Sequence, residues 1–419
     1  MKSRNKSKLW LARKYLKGQG TGLIDRSHWL TIAGITLGVT ALICVSSVMN
    51  GFRDDIMGRI TGTLSEIRIS KADGSPLAEY SPLLDELHGE GYHAAPVIRN
   101  ELVLKRGDTI LTTLCFGIDP RLHARVSRAI QPPTTNGGAD TQGLLAGNLM
   151  GPEFAAGGIA LGAGLAARLN VFPGQEVQLL SPLFDVPTAF GLLPRVRSLR
   201  VAAVFSAGMP EYDESFSYIH LDTARYFSGY TNEADYIEVK TPDFRRSVRY
   251  AQALREKLPG FRVEDWSSYD SSLYGAIRFE KYMMFVIMLF MYIIASFNLT
   301  GNMLRSISQK KRELGLLKAF GYHENDLRDL FLYQSLILSS IGIILGIATA
   351  TVLLLIQNAY SVISLDMGAA GFMPLPVRFA ALDYLVVILV SYLVTLISVI
   401  FPLKRLKRIN AVELIRQTA

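Results

Sequence analysis

Charged side chains vanish from four stretches of this chain. Residues 29–52, 282–304, 330–365 and 384–403 contain no Asp, Glu, Lys or Arg. A helix needs roughly 20 apolar residues to cross hydrocarbon, and each window is that long. The third exceeds one crossing, and its tail from Gln357 to Asp366 is more polar, so that tail is placed at the outer surface. The pattern predicts four transmembrane helices, 29–52, 282–304, 330–357 and 384–403. They are separated by an N-terminal segment (1–28), a large domain (53–278), a charged elbow (305–329), a short connection (358–383) and a tail (404–419).

The large domain has a different rhythm. Leu64–Ser70, Arg99–Lys105 and Thr109–Ile118 alternate or cluster apolar residues as strands do, with Arg106-Gly107-Asp108 as a hairpin turn. Glu176–Leu180, Arg197–Phe205, Phe216–Leu221, Asp235–Lys240 and Arg262–Asp265 continue the pattern. Helices are predicted at Ser81–Leu87, Ala160–Leu169 and Phe244–Leu258. Thr241 is the expected N-cap of the last, with Pro242 at its first position. Residues 131–147 are rich in Pro, Gly and Thr and read as a mobile loop. Strands mixed with helices predict an α+β domain.

Composition agrees with a protein that is part embedded and part wet. It is 49% hydrophobic, too apolar for an ordinary soluble domain, yet 19% charged, too polar for a wholly embedded one. Charge sets the orientation. Residues 1–28, 305–329 and 404–419 hold 19 Lys/Arg against six Asp/Glu, whereas 51–278 hold 23 against 27. Positive segments stay inside, so both termini and the elbow are assigned to the cytoplasm and the large domain to the far side. The basic balance then reflects topology beside lipid, and no nucleic-acid partner is expected. The first apolar run is too long for a signal core and lacks a small-x-small cleavage site, so a retained span is expected.

The chemistry-bearing motifs are mostly missing. The sequence contains no Gly-Lys dipeptide, which rules out a phosphate-binding P-loop. It has no H-E-x-x-H, and its six His show no metal-ligand spacing. Gly162-Ala163-Gly164 lacks a third glycine and reads as a turn. Asp213 and Glu214 read as exposed loop acids. Cys44 and Cys115 fall in a span and in the large domain, too separated for a disulfide. Neither an enzyme nor a bound cofactor or metal is expected of this chain.

The embedded part carries packing signals instead. Gly34-x-x-x-Gly38 and Gly342-x-x-x-Gly346 put small residues on one helix face, where backbones can approach closely, within the molecule or against a partner. Met284, Met288 and Met291 in the second span suit packing or contact with lipid tails. Asn298 in the same span is expected to find a polar partner across a helix interface. In the elbow, Ile307, Leu314 and Leu317 recur near helical spacing, with Lys310, Lys311, Arg312 and Lys318 facing elsewhere. That pattern suits either a helix lying on anionic lipid or one docked into a cytoplasmic ATPase.

Several blocks resemble the lipoprotein-releasing permeases of Gram-negative bacteria (LolC/LolE type), within the wider MacB/FtsX-like class of ABC transporter membrane subunits. They are Ala12–Leu16 and residues 32–52, Gly117–Pro120, residues 158–182, Phe205–Asp213, residues 279–285, and KKRELGLLKAFGY at 310–322. Arg408–Arg416 resembles the closing element of the class, with Ala411 where proline is usual. The resemblance implies a periplasmic porter part with an inserted lobe between the first two of four inner-membrane helices. It implies a second permease subunit, identical or homologous, and a cytoplasmic ABC ATPase (LolD type) that binds the ATP and magnesium. It further implies a triacylated lipoprotein substrate, membrane lipids around it, the periplasmic carrier LolA, and a mechanism of mechanotransmission.

Two sets of site residues follow from the resemblance. Lys311, Arg312, Glu313, Leu317, Lys318 and Gly321 would couple to the ATPase. The loop at 181–200 would be a carrier-docking hook, with Phe184, Pro187, Phe190, Pro194, Arg195 and Arg197 at its surface. Aromatics, prolines and arginines together have the composition of an interaction site. The loop favours a LolC-like protein over a LolE-like or combined one. Two alternatives are a MacB-like efflux permease, which would carry a fused ATPase before the first span, and an FtsX-like regulator of wall hydrolases, which would have a smaller outer domain.

Overall fold

A computed structural model describes residues 26–132, 142–188, 191–269, 271–366 and 372–406. The protein divides into two compact units. One comprises residues to Phe52, Arg278–Ile363 and Leu375 onward, and the other comprises Arg53–Ile277 with Ser364–Pro374.

Helix α1 (Arg26–Thr63) supplies residues to both units. Its final carbonyls lack partners within the helix, and the second unit supplies them. Lys240 Nζ donates to Thr61 O (2.6 Å), the Arg128 N–H to Gly62 O (2.6 Å) and Ser127 Oγ to Thr63 O (2.8 Å).

The second unit is built on one sheet. In sequence order its elements are β1 (Ile67–Lys71), α2 (Ser81–Gly89), β2 (His93–Arg106), β3 (Thr109–Ile118), β4 (Gly143–Gly147), β5 (Ile159–Gly162), α3 (Ala163–Leu169), β6 (Glu176–Thr188) and β7 (Gly191–Ser206). Then come β8 (Phe216–His220), α4 (Leu221–Ser228), β9 (Tyr236–Lys240), α5 (Ser247–Lys257) and β10 (Phe261–Asp265). The strand order is β10-β1-β9-β2-β3-β8-β5-β7-β4, and β6 pairs with β2 and β7. β3 and β8 are parallel neighbours, as are β5 and β7; the other pairs are antiparallel. Strands β4–β7 therefore fall, in the sequence, between two strands that lie side by side.

Two helix pairs cover this sheet. α2 and α5 bury Leu83, Leu87, Ala251 and Leu254 with Ile67, Ile69, Ile237 and Val239. α3 and α4 bury Leu165, Leu169, Ala224 and Phe227 with Ile98, Leu161, Val201 and Ile219.

Three local expectations are corrected. Ala160–Leu169 is not one helix, because Ile159–Gly162 is a fully buried strand between β7 and β8. A short, continuous apolar run has no periodicity to separate the two. Thr241 does not cap the helix near 244, because its buried Oγ1 accepts no hydrogen bond from that turn. Asp243 caps instead, accepting from Arg245 N (3.1 Å) before a 3-10 turn that leads into α5. The expected mobile loop at 131–147 contains strand β4, bonded to β7; residues 133–141 lie outside the described set.

The first unit is helical. After α1 come α6 (Ser271–Gln309), α7 (Lys311–Ala319), α8 (Glu324–Tyr360) and α9 (Ala381–Leu406). A short hairpin, β11 (Ser364–Asp366) with β12 (Phe372–Pro374), falls between the last two and belongs to the second unit. Among the described residues three helices are long and apolar enough to cross a membrane: His28–Thr63, Glu324–Tyr360 and Ala381–Ile400. The fourth uncharged window, 282–304, lies inside α6. The helices share a core of Ile35, Val39, Ile43, Leu299, Phe331 and Ile343, among others.

Candidate functional site

Polar residues join the helices of the first unit where hydrocarbon would otherwise surround them. Thr36 Oγ1 donates to Gly342 O (3.3 Å) and Thr40 Oγ1 to Gly346 O (3.2 Å). Thr395 donates to Ser339 (2.9 Å), and Ser296 and Ser398 share a hydrogen bond (2.7 Å). Each offsets the cost of a buried hydroxyl across a helix interface.

The two glycine motifs separate here. Gly342 and Gly346 are buried against α1; a Cβ on Gly342 would sit 2.8 Å from Ile35 Cβ, and one on Gly346 would sit 2.7 Å from Val39 Cβ. Gly34 and Gly38 are only half-buried. Met288 and Met291 pack against the same helical core, and Met284 is half-buried. The Asn298 side chain lies outside what the structure describes.

In the elbow helix α7 the expected apolar stripe turns inward. Leu314 is buried and Leu317 packs on the helical core. Lys318 forms an ion pair with Glu324 (3.5 Å), and Gly321 turns the backbone with φ +86°. Glu313 is half-buried, and the side chains of Lys311 and Arg312 are outside the described set. What the elbow exposes instead is Leu316 (50%) and Phe320 (81%), one helical turn apart. Neither stands out in the sequence, because exposure of an apolar residue cannot be read from spacing when its neighbours are apolar too.

The segment at 181–200 is a hairpin rather than a loop. β6 and β7 pair to their ends, with Phe184 opposite Pro194 and Pro187 opposite Leu192. Bulges interrupt the ladder between Leu180 and Val186. Of the expected docking residues, Arg195 and Arg197 lie over Tyr226 of α4, with guanidinium carbons 5.8 and 4.3 Å from the ring centre. They join the hairpin to α4. Pro187 is exposed and Pro194 half-buried; Phe190 and the Phe184 side chain lie outside the described set. The apolar side chains left in solvent are Leu183, Leu192, Leu193 and Val196.

Close to α1, the 206–213 turn forms a buried polar clamp. The Ala207 N–H donates to Asp213 Oδ1 (2.6 Å), and Ser206 Oγ donates to Oδ2 (3.0 Å). Arg59 of α1 donates to Gly208 O (3.1 Å), and Gln142 Nε2 bridges Arg59 O and Ala207 O at 2.8 Å each. Asp213 is thus buried, not an exposed loop acid; Glu214 alone of the pair is exposed. Gly162 and Gly164 permit this packing, because a Cβ on Gly162 would lie 2.4 Å from Asp213 O.

Burial pushes the Asp213 carboxyl up to about 6, against its two hydrogen bonds and Arg59. Burial also drops the His123 imidazole to about 3. The signs oppose. Asp213 lends stability below its ordinary value near 3.8 and loses it as pH rises through 6. His123 lends stability above 6.5 and loses it as pH falls toward 3. Asp213→Asn removes only the first effect. Melting the full-length protein in detergent from pH 4 to 7.5 should show the variant gaining about 2 kcal/mol on the native protein. A pH-independent difference would contradict the assignment.

Known proteins match along nearly all of this length. Residues 29–257 match the MacB-like periplasmic core domain, and residues 285–411 match the FtsX-like permease C-terminal domain. The lipoprotein-releasing system transmembrane protein LolC of Neisseria meningitidis serogroup B is 26% identical over 348 residues, 82% of this protein and 81% of that one. LolC of Xylella fastidiosa (strain 9a5c) is 25% identical over 419 residues, covering 96% and 97%. LolE of Haemophilus influenzae is 20% identical over 424 residues, covering 97% and 98%.

Proposed function

The protein belongs to the family of MacB-like periplasmic core domains, joined here to an FtsX-like permease segment, and on that premise we propose that it is a membrane subunit of an ATP-driven lipoprotein-releasing transporter. The observation that carries the reading is end-to-end similarity to LolC proteins, spanning both the outer domain and the helices that follow it.

On this reading four helices cross the inner membrane, the fourth being the 282–304 part of α6. The Lys/Arg excess of the ends and elbow keeps them cytoplasmic, and the sheet domain faces the periplasm. The protein carries no P-loop of its own, lacking any Gly-Lys pair. A LolD-type ATPase supplies ATP and magnesium and docks at α7, and a second permease subunit completes the membrane part. Extraction needs a motor because each buried methylene holds an acyl tail by about 0.8 kcal/mol. Three tails together are far beyond thermal release. The hairpin of β6 and β7 presents Leu192 and Leu193 to a LolA-type carrier. A LolC-like role suits it best.

The test is reconstitution. The purified protein should hydrolyse no ATP by itself. In proteoliposomes with a LolD-type ATPase and a permease partner it should release a triacylated lipoprotein to soluble carrier. Removing residues 184–197 should abolish transfer while hydrolysis and assembly persist. ATP hydrolysis without any lipoprotein release would defeat the reading, and unchanged transfer after the deletion would defeat the hairpin assignment.

A further inference from the structure

A cleft of about 300 Å³ opens on the sheet of the second unit. Its position follows from strand register. Arg68 of β1 is paired with Glu238 of β9, Arg99 of β2 with Phe116 of β3, and Leu114 of β3 with Phe216 of β8. Alternation along each strand brings Arg68, Arg99, Leu114, Phe116 and Phe216 to one face. Leu64 and Tyr212 close the sides.

The apolar wall is rigid. Tyr212 stacks on Phe216 with ring centres 4.4 Å apart and planes 12° apart, and Phe116 meets Phe216 edge-on at 5.0 Å. The cationic side is split in depth. Arg68 is held at the floor, 3.5 Å from buried Glu238 and with its guanidinium over the Tyr236 ring at 4.7 Å. Arg99 is half-exposed at the mouth and pairs with exposed Glu101, at 3.5 Å. Such a surface pair is worth little and yields easily to a better anion. Glu238 offsets Arg68, so the cleft is matched to one negative charge.

Size narrows the ligand. At about 30 Å³ per water-sized group, the volume takes roughly ten such groups. That fits one large side chain with an adjacent carboxylate and falls short of a full acyl tail. We propose that this cleft binds a polypeptide residue that combines an aromatic or large aliphatic side chain with a free carboxylate, as found at the carboxyl end of a peptide. The carboxylate meets Arg99 and Arg68, and the side chain lies along Phe116, Phe216 and Tyr212. The site stands on the cleft alone and does not depend on the transport reading.

The probes are a tetrapeptide ending in Phe, its C-terminal amide, and octanoate as the lipid-type anion. Each is titrated by calorimetry into the full-length protein in detergent. The acid peptide should bind at least about tenfold more tightly than its amide. Arg99→Gln, a change at a half-exposed site that leaves the fold intact, should erase that preference. Phe216→Leu should weaken the peptide about tenfold without restoring the amide. The proposal is overturned if the peptide does not bind, if amide and acid bind alike, if octanoate binds as well as the peptide, or if Arg99→Gln changes nothing.

Discussion

The Phe320→Asp variant should lose its ATPase partner. Phe320 ends the elbow helix with 81% of its surface in solvent, and Leu316 lies one turn before it. With so little of the ring packed inside the protein, the variant should fold and insert normally. Burying a phenylalanine in a partner's groove contributes about 1.5–3 kcal/mol. An aspartate there adds the cost of desolvating a charge. Together they should weaken association by at least about a hundredfold. Co-purification and permease-stimulated ATP hydrolysis measure this, with Phe320→Leu as the conservative variant that retains most binding. Full stimulation in Phe320→Asp would move the docking surface elsewhere, toward the Lys311 and Arg312 end of the helix.

The second large effect is expected at Gly346→Leu. Its neighbours across the seam are Val39 Cβ at 2.7 Å, Val39 Cγ1 at 2.8 Å and the Thr36 carbonyl oxygen at 3.0 Å. A branched valine and a helix backbone cannot yield as a flexible side chain would, so α1 and α8 must separate. Separation breaks the Thr40 hydrogen bond to Gly346 O and opens the core around Ile35 and Ile343. Overpacking costs about 1–3 kcal/mol in itself, and the lost seam adds to it. Unfolding in denaturing detergent should show a destabilisation of about 4 kcal/mol or more, the upper end of overpacking plus one lost hydrogen bond. Gly38→Ala, at a half-buried position of α1, should shift the same measurement by less than about 1 kcal/mol, the scale of a helix-propensity change. Equal effects at the two sites would mean that the seam is not where the backbones approach.

These two sites show where a sequence informs and where it stops. Charge-free windows are sums over many residues, so they find long helices despite local noise, and three of the four windows fall in helices long and apolar enough to cross a membrane among the described residues. The strand pattern of the outer domain is legible for the same reason at β2 and β3, where the strands run for 14 and 10 residues. It fails at Ile159–Gly162, where all four residues are buried and nothing alternates. The glycine spacing names both motifs but not that Gly342 and Gly346 pack against Ile35 and Val39, because those residues lie on a helix far away in the sequence. Likewise the elbow pattern places a stripe of leucines correctly on one face, yet the residue left outside, Phe320, is known only once Leu314 and Leu317 are seen to turn inward. Asp213 looks like a surface acid because the residues that close the clamp around it, Arg59 and Gln142, are remote in the sequence.

The parallel neighbours β3 and β8 carry a wider consequence. The polypeptide leaves β3 at Ile118 and returns at Phe216 in the adjacent lane, and the strands between them extend the same sheet past β8. Everything between, including the long β6–β7 arm, is an insertion seated on β8 through β5 and on β2 through β6. Its length and chemistry can drift, or be traded between paralogues, without re-threading the rest of the domain. Chimeras exchanged at those two points should therefore inherit the cargo-handling habits of the donor and the membrane architecture of the host.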